Sequence, residues 1–322
     1  MKVFELFSEV AEDLEKVEEE LHKSVRSDHP FLQEASVHLL NAGGKRLRPA
    51  FALLAGKFFD YDFDKLKSLA VALELIHMAS LVHDDVVDAS LERRGIPTVK
   101  AQWGNQVSMH SGDYLFAQSL RLIATYKKPH IARVLSEVSV QMCRGEIQQI
   151  ISSFDLDQDL KDYFYRIKRK TALLISASCQ CGALAVEAPE AMVRALTLYG
   201  HHLGMAFQIT DDILDLVADQ AELGKPIGGD LRQGIMTLPI IMALQYSSER
   251  DRLKSIIAND EKDEGDVEEA IAIIKASGAI AEAFSMSDRF IAKAHKHLDK
   301  LPDKPVKQTL ATIADFINLR RY

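Results

Sequence analysis

Cysteine is scarce in this chain: 322 residues contain three, Cys143, Cys179 and Cys181. So small and odd a set suits buried free thiols in a reducing compartment better than a disulfide framework. Cys179 and Cys181 have a one-residue gap and no second ligand pair, which argues against a zinc site. One-signed charge runs are missing too. The 39 Lys+Arg stand against 47 Asp+Glu, for a formal charge of −8, and no basic stretch is long enough to follow a nucleic-acid backbone. No nucleic-acid partner is expected. The opening segment MKVFELFSEVAEDLEKVEEELHK mixes acids into its apolar positions and has no uninterrupted apolar run of the signal-peptide or membrane-span kind. A cytoplasmic location is the expectation. Linkers rich in Gly, Ser or Pro are absent, as are alternating strand patterns of useful length.

What is present is helix. Apolar residues recur at three- and four-residue intervals, as in Leu66, Leu69, Ala70, Leu73 and Ile76, and again from Ile167 to Ala177. The nine prolines lie at or near plausible helix boundaries. The pattern predicts an all-α fold in a single domain spanning 1–322, with a more polar, solvent-facing third after about residue 247.

One local echo interrupts this uniformity: LVHDDVVD at 81–88 and QITDDILD at 208–215. On a helix, Asp84 and Asp88 share a face with Asp85 close by, and Asp211, Asp212 and Asp215 repeat the arrangement. Like charges so placed repel, and each set follows a strongly apolar segment that would partly desolvate it. A cation between them resolves the conflict. Oxygen-only ligands favour a hard ion, and Mg²⁺ usually binds one or two carboxylates while keeping waters and phosphate oxygens.

Basic residues supply the complementary anion site. GGKRLRP at 43–49 leads glycines into Lys45, Arg46 and Arg48 at a helix start, where backbone amides and guanidinium forks suit phosphate. Arg93 and Arg94 follow the first aspartates, and His77 lies two helical turns before Asp84 on a similar face. Lys170 with Thr171, Gln208, and Lys225 in GKPIGGD are further candidates. Taken singly, each of these could be a solvated charge or a satisfied core residue; it is their combination with two DDxxD clusters that points to a diphosphate.

GGKRLRP, ELIHMASLVHDDVVD, RRG at 93–95, RKTALL at 169–174 and GMAFQITDDILD followed by GKPIGGD resemble, in order and spacing, the trans-polyprenyl diphosphate synthases across essentially the whole chain. Within that family, RSDHPFLQEASVHLLNAGGKRLRP and RIKRKTALLISASCQ are similar to the catalytic subunit of two-component heptaprenyl diphosphate synthases. The resemblance implies an isoprenoid synthase-type helical bundle with a central cavity. It also implies extension of an allylic diphosphate, such as farnesyl diphosphate, by isopentenyl diphosphate for a menaquinone side chain. Lys45, Arg48, His77 and Arg94 would hold isopentenyl diphosphate; Arg93, Lys170, Thr171, Gln208 and Lys225 would surround the allylic substrate. Asp84, Asp88 and Asp211 would be the main Mg²⁺ ligands, with Asp85, Asp212 and Asp215 supporting and Lys170 and Gln208 completing the catalytic set. A small regulatory subunit and self-association into a homodimer are implied as well, and a long apolar product would make transient membrane contact at release. One departure stands out. Many relatives carry a lysine in a GKxT segment after the second cluster, where this chain reads Gly234, Ile235, Met236, Thr237.

Helix geometry adds an expectation about product length. Behind Asp84 on roughly one face lie Ser80, Ile76 and Leu73, with Ala79 beside the first. A helix rises about 5.4 Å per turn, close to one isoprene unit, so small Ala79 and Ser80 would let a chain pass and Ile76 could gauge it further down. Two other readings use some of the same residues. A class I terpene cyclase also ionises an allylic diphosphate, but leaves the isopentenyl anchors without purpose. A di-iron bundle would use the ExxH pairs Glu74–His77 and Glu19–His22, and leaves both DDxxD clusters unexplained.

Overall fold

The structure, a computed structural model, describes residues 3–218 and 227–319, with side chains from 6 to 218 and 227 to 317. A short 3-10 helix at Val3–Val10 opens the chain. There follow α1 (Ala11–Ser24), α2 (Pro30–Asn41), α3 (Leu47–Gly56) and α4 (Phe63–Val87), then a hairpin of β1 (Glu92–Arg93) and β2 (Ile96–Pro97). Next come α5 (Val99–Ile123), α6 (Pro129–Ile151), α7 (Leu160–Ile167), a π-type turn at Lys168–Ala172, α8 (Leu173–Ala185) and α9 (Glu190–Val217). The last elements are α10 (Gly229–Arg232), α11 (Leu238–Tyr246), α12 (Arg250–Ala258), α13 (Glu264–Ala276), α14 (Ala279–Leu298) and α15 (Pro305–Leu319). Among the described residues helix dominates and the only strands are the two-residue pair, as the periodicity predicts.

Local chemistry starts these helices. Asp62 accepts from the Asp64 N–H to cap α4, Thr98 accepts from Ala101 N–H to cap α5, and Asp159 forms a capping box with Asp162 at α7.

The chain divides into two units whose boundaries fall inside α6, α8, α9 and α15 and in the connection between α14 and α15. The first unit comprises Met1–Ser139, Ala177–Thr197 and Leu301–Leu310. Its core is α3, buried from Pro49 to Gly56, against α4, whose residues from Leu69 to Ile76 are all buried. Tyr126 pins α4 near its start: its hydroxyl donates to Lys65 O at 2.6 Å and accepts from Leu69 N at 3.0 Å.

The second unit comprises Val140–Ser176, Leu198–Lys300 and Ala311–Tyr322. Here the sequence expectation for residues beyond 247 needs correction. Leu253, Ile256, Ile257, Val267, Ile271 and Ile274 join Tyr163, Ile209, Ile213 and Leu216 in one buried cluster. Charged residues interleaved at helical spacing lower the average hydropathy of α12 and α13 while leaving each an apolar inner face.

Candidate active site

The two aspartate clusters lie in different units, each in the last two turns of a long helix. In the first unit, Asp84 and Asp85 fall in the final turn of α4 and Asp88 is its C-cap, donating its N–H to Asp84 O at 2.8 Å. The carbonyl end of a helix carries a partial negative charge, so carboxylates here are disfavoured twice and a cation is favoured twice. Asp211, Asp212 and Asp215 lie about one turn further from the end of their helix, with only Asp215 in the final turn of α9.

Asp85 is 2% exposed and bridged by Arg93, whose Nε donates to both carboxylate oxygens at 2.8 and 3.1 Å while Nη2 reaches Oδ1 at 2.7 Å. The hairpin makes this contact available. Arg94 and Gly95 both take left-handed φ, +56° and +79°, which closes a two-residue turn and folds β1 back toward the helix end.

The anion-binding candidates of the first unit gather around the start of α3. Its N-cap, Arg46, sits in the left-handed region at φ 46°, ψ 38°. Lys45 and Arg94 are exposed, while Arg48 and His77 are half-buried. Arg48 Nε is buried without a hydrogen-bond partner, and burial pushes the guanidinium down to about 10 against the opposing pull of Glu74. His77 is held well below its usual value by desolvation and then by Arg48, Arg94, Arg93 and Arg46, so the ring is neutral at pH 7. Gly44 allows the closest approach: a Cβ there would lie 2.7 Å from Arg94 Nη1 and 3.1 Å from Arg46 Nη1. Such a concentration of cations is mutually repulsive, which adds to desolvation in the downward shifts of His77 and Arg94.

Arg46 was grouped with these cations by sequence, yet it turns inward to Glu18 and Glu74. Glu74, 2% exposed, therefore meets a guanidinium, and Glu19 is exposed, so the ExxH pairs of the di-iron reading do not form an iron site. Ala79 and Ile76 are each 3% exposed, whereas Ser80 is half-buried and donates to His77 O at 2.8 Å.

In the second unit, Asp212 is buried and held by neutral donors: the Tyr163 hydroxyl reaches Oδ2 at 2.7 Å and Gln208 Nε2 reaches Oδ1 at 2.7 Å. The Thr171 hydroxyl fixes Gln208 in turn, donating to Oε1 at 2.6 Å. Burial, with a smaller push from Asp211, raises Asp212 to about 6 despite those bonds and the field of Arg166. The Asp215 carboxylate accepts from Asp230 N at 3.1 Å, and its backbone carbonyl accepts from Gly228 N at 2.7 Å. Lys170, in the π-type turn with Thr171, contacts Glu146 at 3.0 Å and Gln149 at 3.3 Å. Gly234 O accepts from Phe154 N at 2.9 Å and Met236 O from Arg166 at 2.6 Å, which ties down the segment that lacks the family lysine. Lys225 lies outside the described residues. Tyr163 carries no sequence signal of its own, since a tyrosine on the apolar face of α7 reads as core.

The donor set fits a hard divalent ion: oxygen only, at negative helix ends. Among the described residues no three His, Cys, Asp or Glu side chains form a preassembled metal group. An ion held by these carboxylates would complete its shell with water or phosphate oxygens.

A family profile described as polyprenyl synthetase matches residues 29–274. The chain is 49% identical over 322 residues to heptaprenyl diphosphate synthase component 2 of Geobacillus stearothermophilus, covering 100% of both. It is 47% identical to the same component of Bacillus subtilis (strain 168), covering 100% of this chain and 92% of that one. It also resembles the solved heptaprenyl diphosphate synthase of Staphylococcus aureus, with a TM-score of 0.91, 38% identity, and 97% and 98% coverage. The polyprenyl synthase of Caulobacter crescentus CB15, solved with calcium and isoprenyl diphosphate, matches with a TM-score of 0.95, 34% identity, and 100% and 98% coverage.

Proposed function

The chain belongs to the polyprenyl synthetase family, and on that premise we propose that it extends farnesyl diphosphate with isopentenyl diphosphate to all-trans heptaprenyl diphosphate for a menaquinone side chain. It is a trans-prenyltransferase. The observation that carries the chemistry is the repeated DDxxD pattern, each copy at the negative end of a long helix. Members of the family use a divalent metal; Mg²⁺ is the ion proposed here. When bound, it would neutralise the diphosphate leaving group so that the allylic carbon–oxygen bond can ionise.

Asp84, Asp88 and Asp211 would hold that ion, supported by Asp85, Asp212 and Asp215. Lys45, Arg48, His77 and Arg94 would hold isopentenyl diphosphate, with neutral His77 donating one ring N–H. Arg93, Lys170, Thr171 and Gln208 would face the allylic substrate, joined by Lys225. Anchoring both diphosphates sets the isopentenyl double bond against the allylic carbon, which supplies the proximity that the condensation needs. The new bond forms, a proton leaves to pyrophosphate, and the lengthened allylic diphosphate re-enters the cycle. Residues such as Phe207 and Thr171 would exclude water.

The proposal treats 1–322 as one catalytic domain in the cytoplasm, working with a small regulatory subunit and as a homodimer, with brief membrane contact as the product leaves. An apolar stripe on α6 supports a covered face: Val140, Ile147 and Ile151 are 48%, 59% and 70% exposed at helical spacing. The test is incorporation of labelled isopentenyl diphosphate into farnesyl diphosphate by the purified chain, with and without the partner subunit, in Mg²⁺ and in EDTA. Seven-unit products with the partner and Mg²⁺, and little activity otherwise, are expected. No incorporation under any condition would refute the reading, and full long-chain synthesis by the isolated chain would refute the partner. Ala79→Tyr should shorten products to about three or four units if the chain grows along α4; an unchanged distribution rejects that path.

A further inference from the structure

The buried carboxylate of Glu74 has no part in the chemistry above, yet it sits on α4 one turn before His77 and beneath the guanidinium cluster. Its Oε1 accepts from Arg46 Nη1 at 3.1 Å. The opposite edge of Arg46 is clamped by Glu18 of α1, with Nε to Oε2 and Nη2 to Oε1 both at 2.7 Å, and Nη2 also reaches Leu40 O at 3.3 Å. Every Arg46 nitrogen that could reach a diphosphate is thus spent on protein. Arg46 is also the left-handed N-cap of α3, directly after the anchor Lys45 and two residues before the anchor Arg48. A non-glycine residue in that conformation persists only where its surroundings hold it, and here the clamp does so.

We propose that Glu74 and Arg46, with Glu18, form a positioning unit for the isopentenyl diphosphate anchors, in which the Glu18–Arg46–Glu74 chain holds the left-handed turn that aims Lys45 and Arg48. Two orphaned atoms support it. Glu74 Oε2 and Arg48 Nε are both buried without hydrogen-bond partners. Glu74 opposes the downward shifts of Arg48 and Arg94, so its charge is felt by both. A second carboxylate oxygen is therefore available to Arg48 when an anion draws the cluster together. All six residues, Glu18, Arg46, Arg48, Glu74, His77 and Arg94, lie in one unit.

This inference rests on the isopentenyl diphosphate site proposed above, and Arg48→Ala separates the two. Isopentenyl diphosphate binding is measured calorimetrically on the full chain, farnesyl diphosphate binding with Mg²⁺ serving as control, alongside steady-state kinetics with the partner subunit. Glu74→Gln keeps an acceptor for Arg46 but removes the charge. It should weaken isopentenyl diphosphate binding about 10-fold and raise its KM in step, with kcat and farnesyl diphosphate affinity within about two-fold. Glu18→Gln, at the more exposed end of the clamp, should act in the same direction by about three-fold, and it keeps the test alive if the buried substitution fails to fold. Arg46→Lys should fall between wild type and Arg46→Met, since an ammonium keeps the charge and loses the fork. If Glu74 merely balances charge, Glu74→Gln leaves the cations less compensated and binds the diphosphate more tightly; that result, or no change, overturns the proposal. Equal losses for both substrates overturn it too, by making the unit a general fold element. If Arg48→Ala itself leaves isopentenyl diphosphate binding intact, the site assignment falls and this inference with it.

Discussion

The two DDxxD clusters share a motif and a place at a helix end, but their central aspartates are satisfied in opposite ways. Asp85 is met by a cation, the Arg93 guanidinium that the RRG hairpin returns to the helix. Asp212 is met by the neutral donors Tyr163 and Gln208, while Arg166 spends its nitrogens on Gln158 and Met236 O and acts on it only through its field. The cation beside Asp85 compensates its charge within the protein, whereas Asp212, desolvated and held by neutral donors, is raised to about 6 and so retains a stronger demand for an added cation. Identical sequence motifs can therefore differ in how much of their charge the protein itself neutralises.

The sharpest way to break the comparison is to remove a proposed ligand from each side. Asp84→Ala and Asp211→Ala should each lower turnover by about 10²- to 10³-fold with helical content unchanged by circular dichroism, because in the proposed mechanism both stabilise charge on the leaving group. A large loss in one cluster and near-normal turnover in the other would show that only one of them serves the chemistry.

The supports of the central aspartates should separate next. Arg93→Met leaves buried Asp85 without its cation and should cost about 3 kcal/mol in denaturant unfolding. Tyr163→Phe removes one neutral hydrogen bond to Asp212 and should cost about 1–2 kcal/mol, while raising the Mg²⁺ concentration for half-maximal activity several-fold. Equal stability losses would mean that cation and neutral donor are interchangeable here.

The smallest effect concerns histidines found only in the second unit. His202 stacks on His297 with ring centroids 5.3 Å apart, and burial holds His201 and His202 at about 4, helped by Lys168 and Lys293 at His201 and by the neighbouring rings at His202. Their folded values lie below the unfolded 6.5, so the unfolded chain binds more protons between those limits. This contribution to stability is full above about pH 6.5 and is lost as pH falls toward about 4. The melting temperature should drop between pH 7 and pH 5, and His202→Phe should remove part of that drop. An identical pH dependence in the variant would show that the stacked pair does not couple to folding.

Much of the fold was legible because helix periodicity is a local signal: prolines, caps and apolar spacing each act within a few residues. The C-terminal third was misread as solvent-facing because average polarity hides an apolar inner face, the face by which Ile256, Ile271 and Ile274 enter the core. The DDxxD and basic motifs were legible as candidates because metal and phosphate chemistry tolerates few residue types. Tyr163, Glu18 and the inward turn of Arg46 were not, because a tyrosine on an apolar helix face and a glutamate on a charged one look ordinary until partners distant in sequence are known.

The amino-acid order by itself determined the all-helical character, the two carboxylate clusters at helix ends and the family, since each depends on short stretches of residue type and spacing. Only the tertiary structure decided which of these charges are consumed by partners within the protein. Arg46 and Arg48 stand two residues apart in one motif; packing gives the first two carboxylates and leaves the second a buried nitrogen without a partner, because a side chain's free energy is set by the neighbours that folding brings to it.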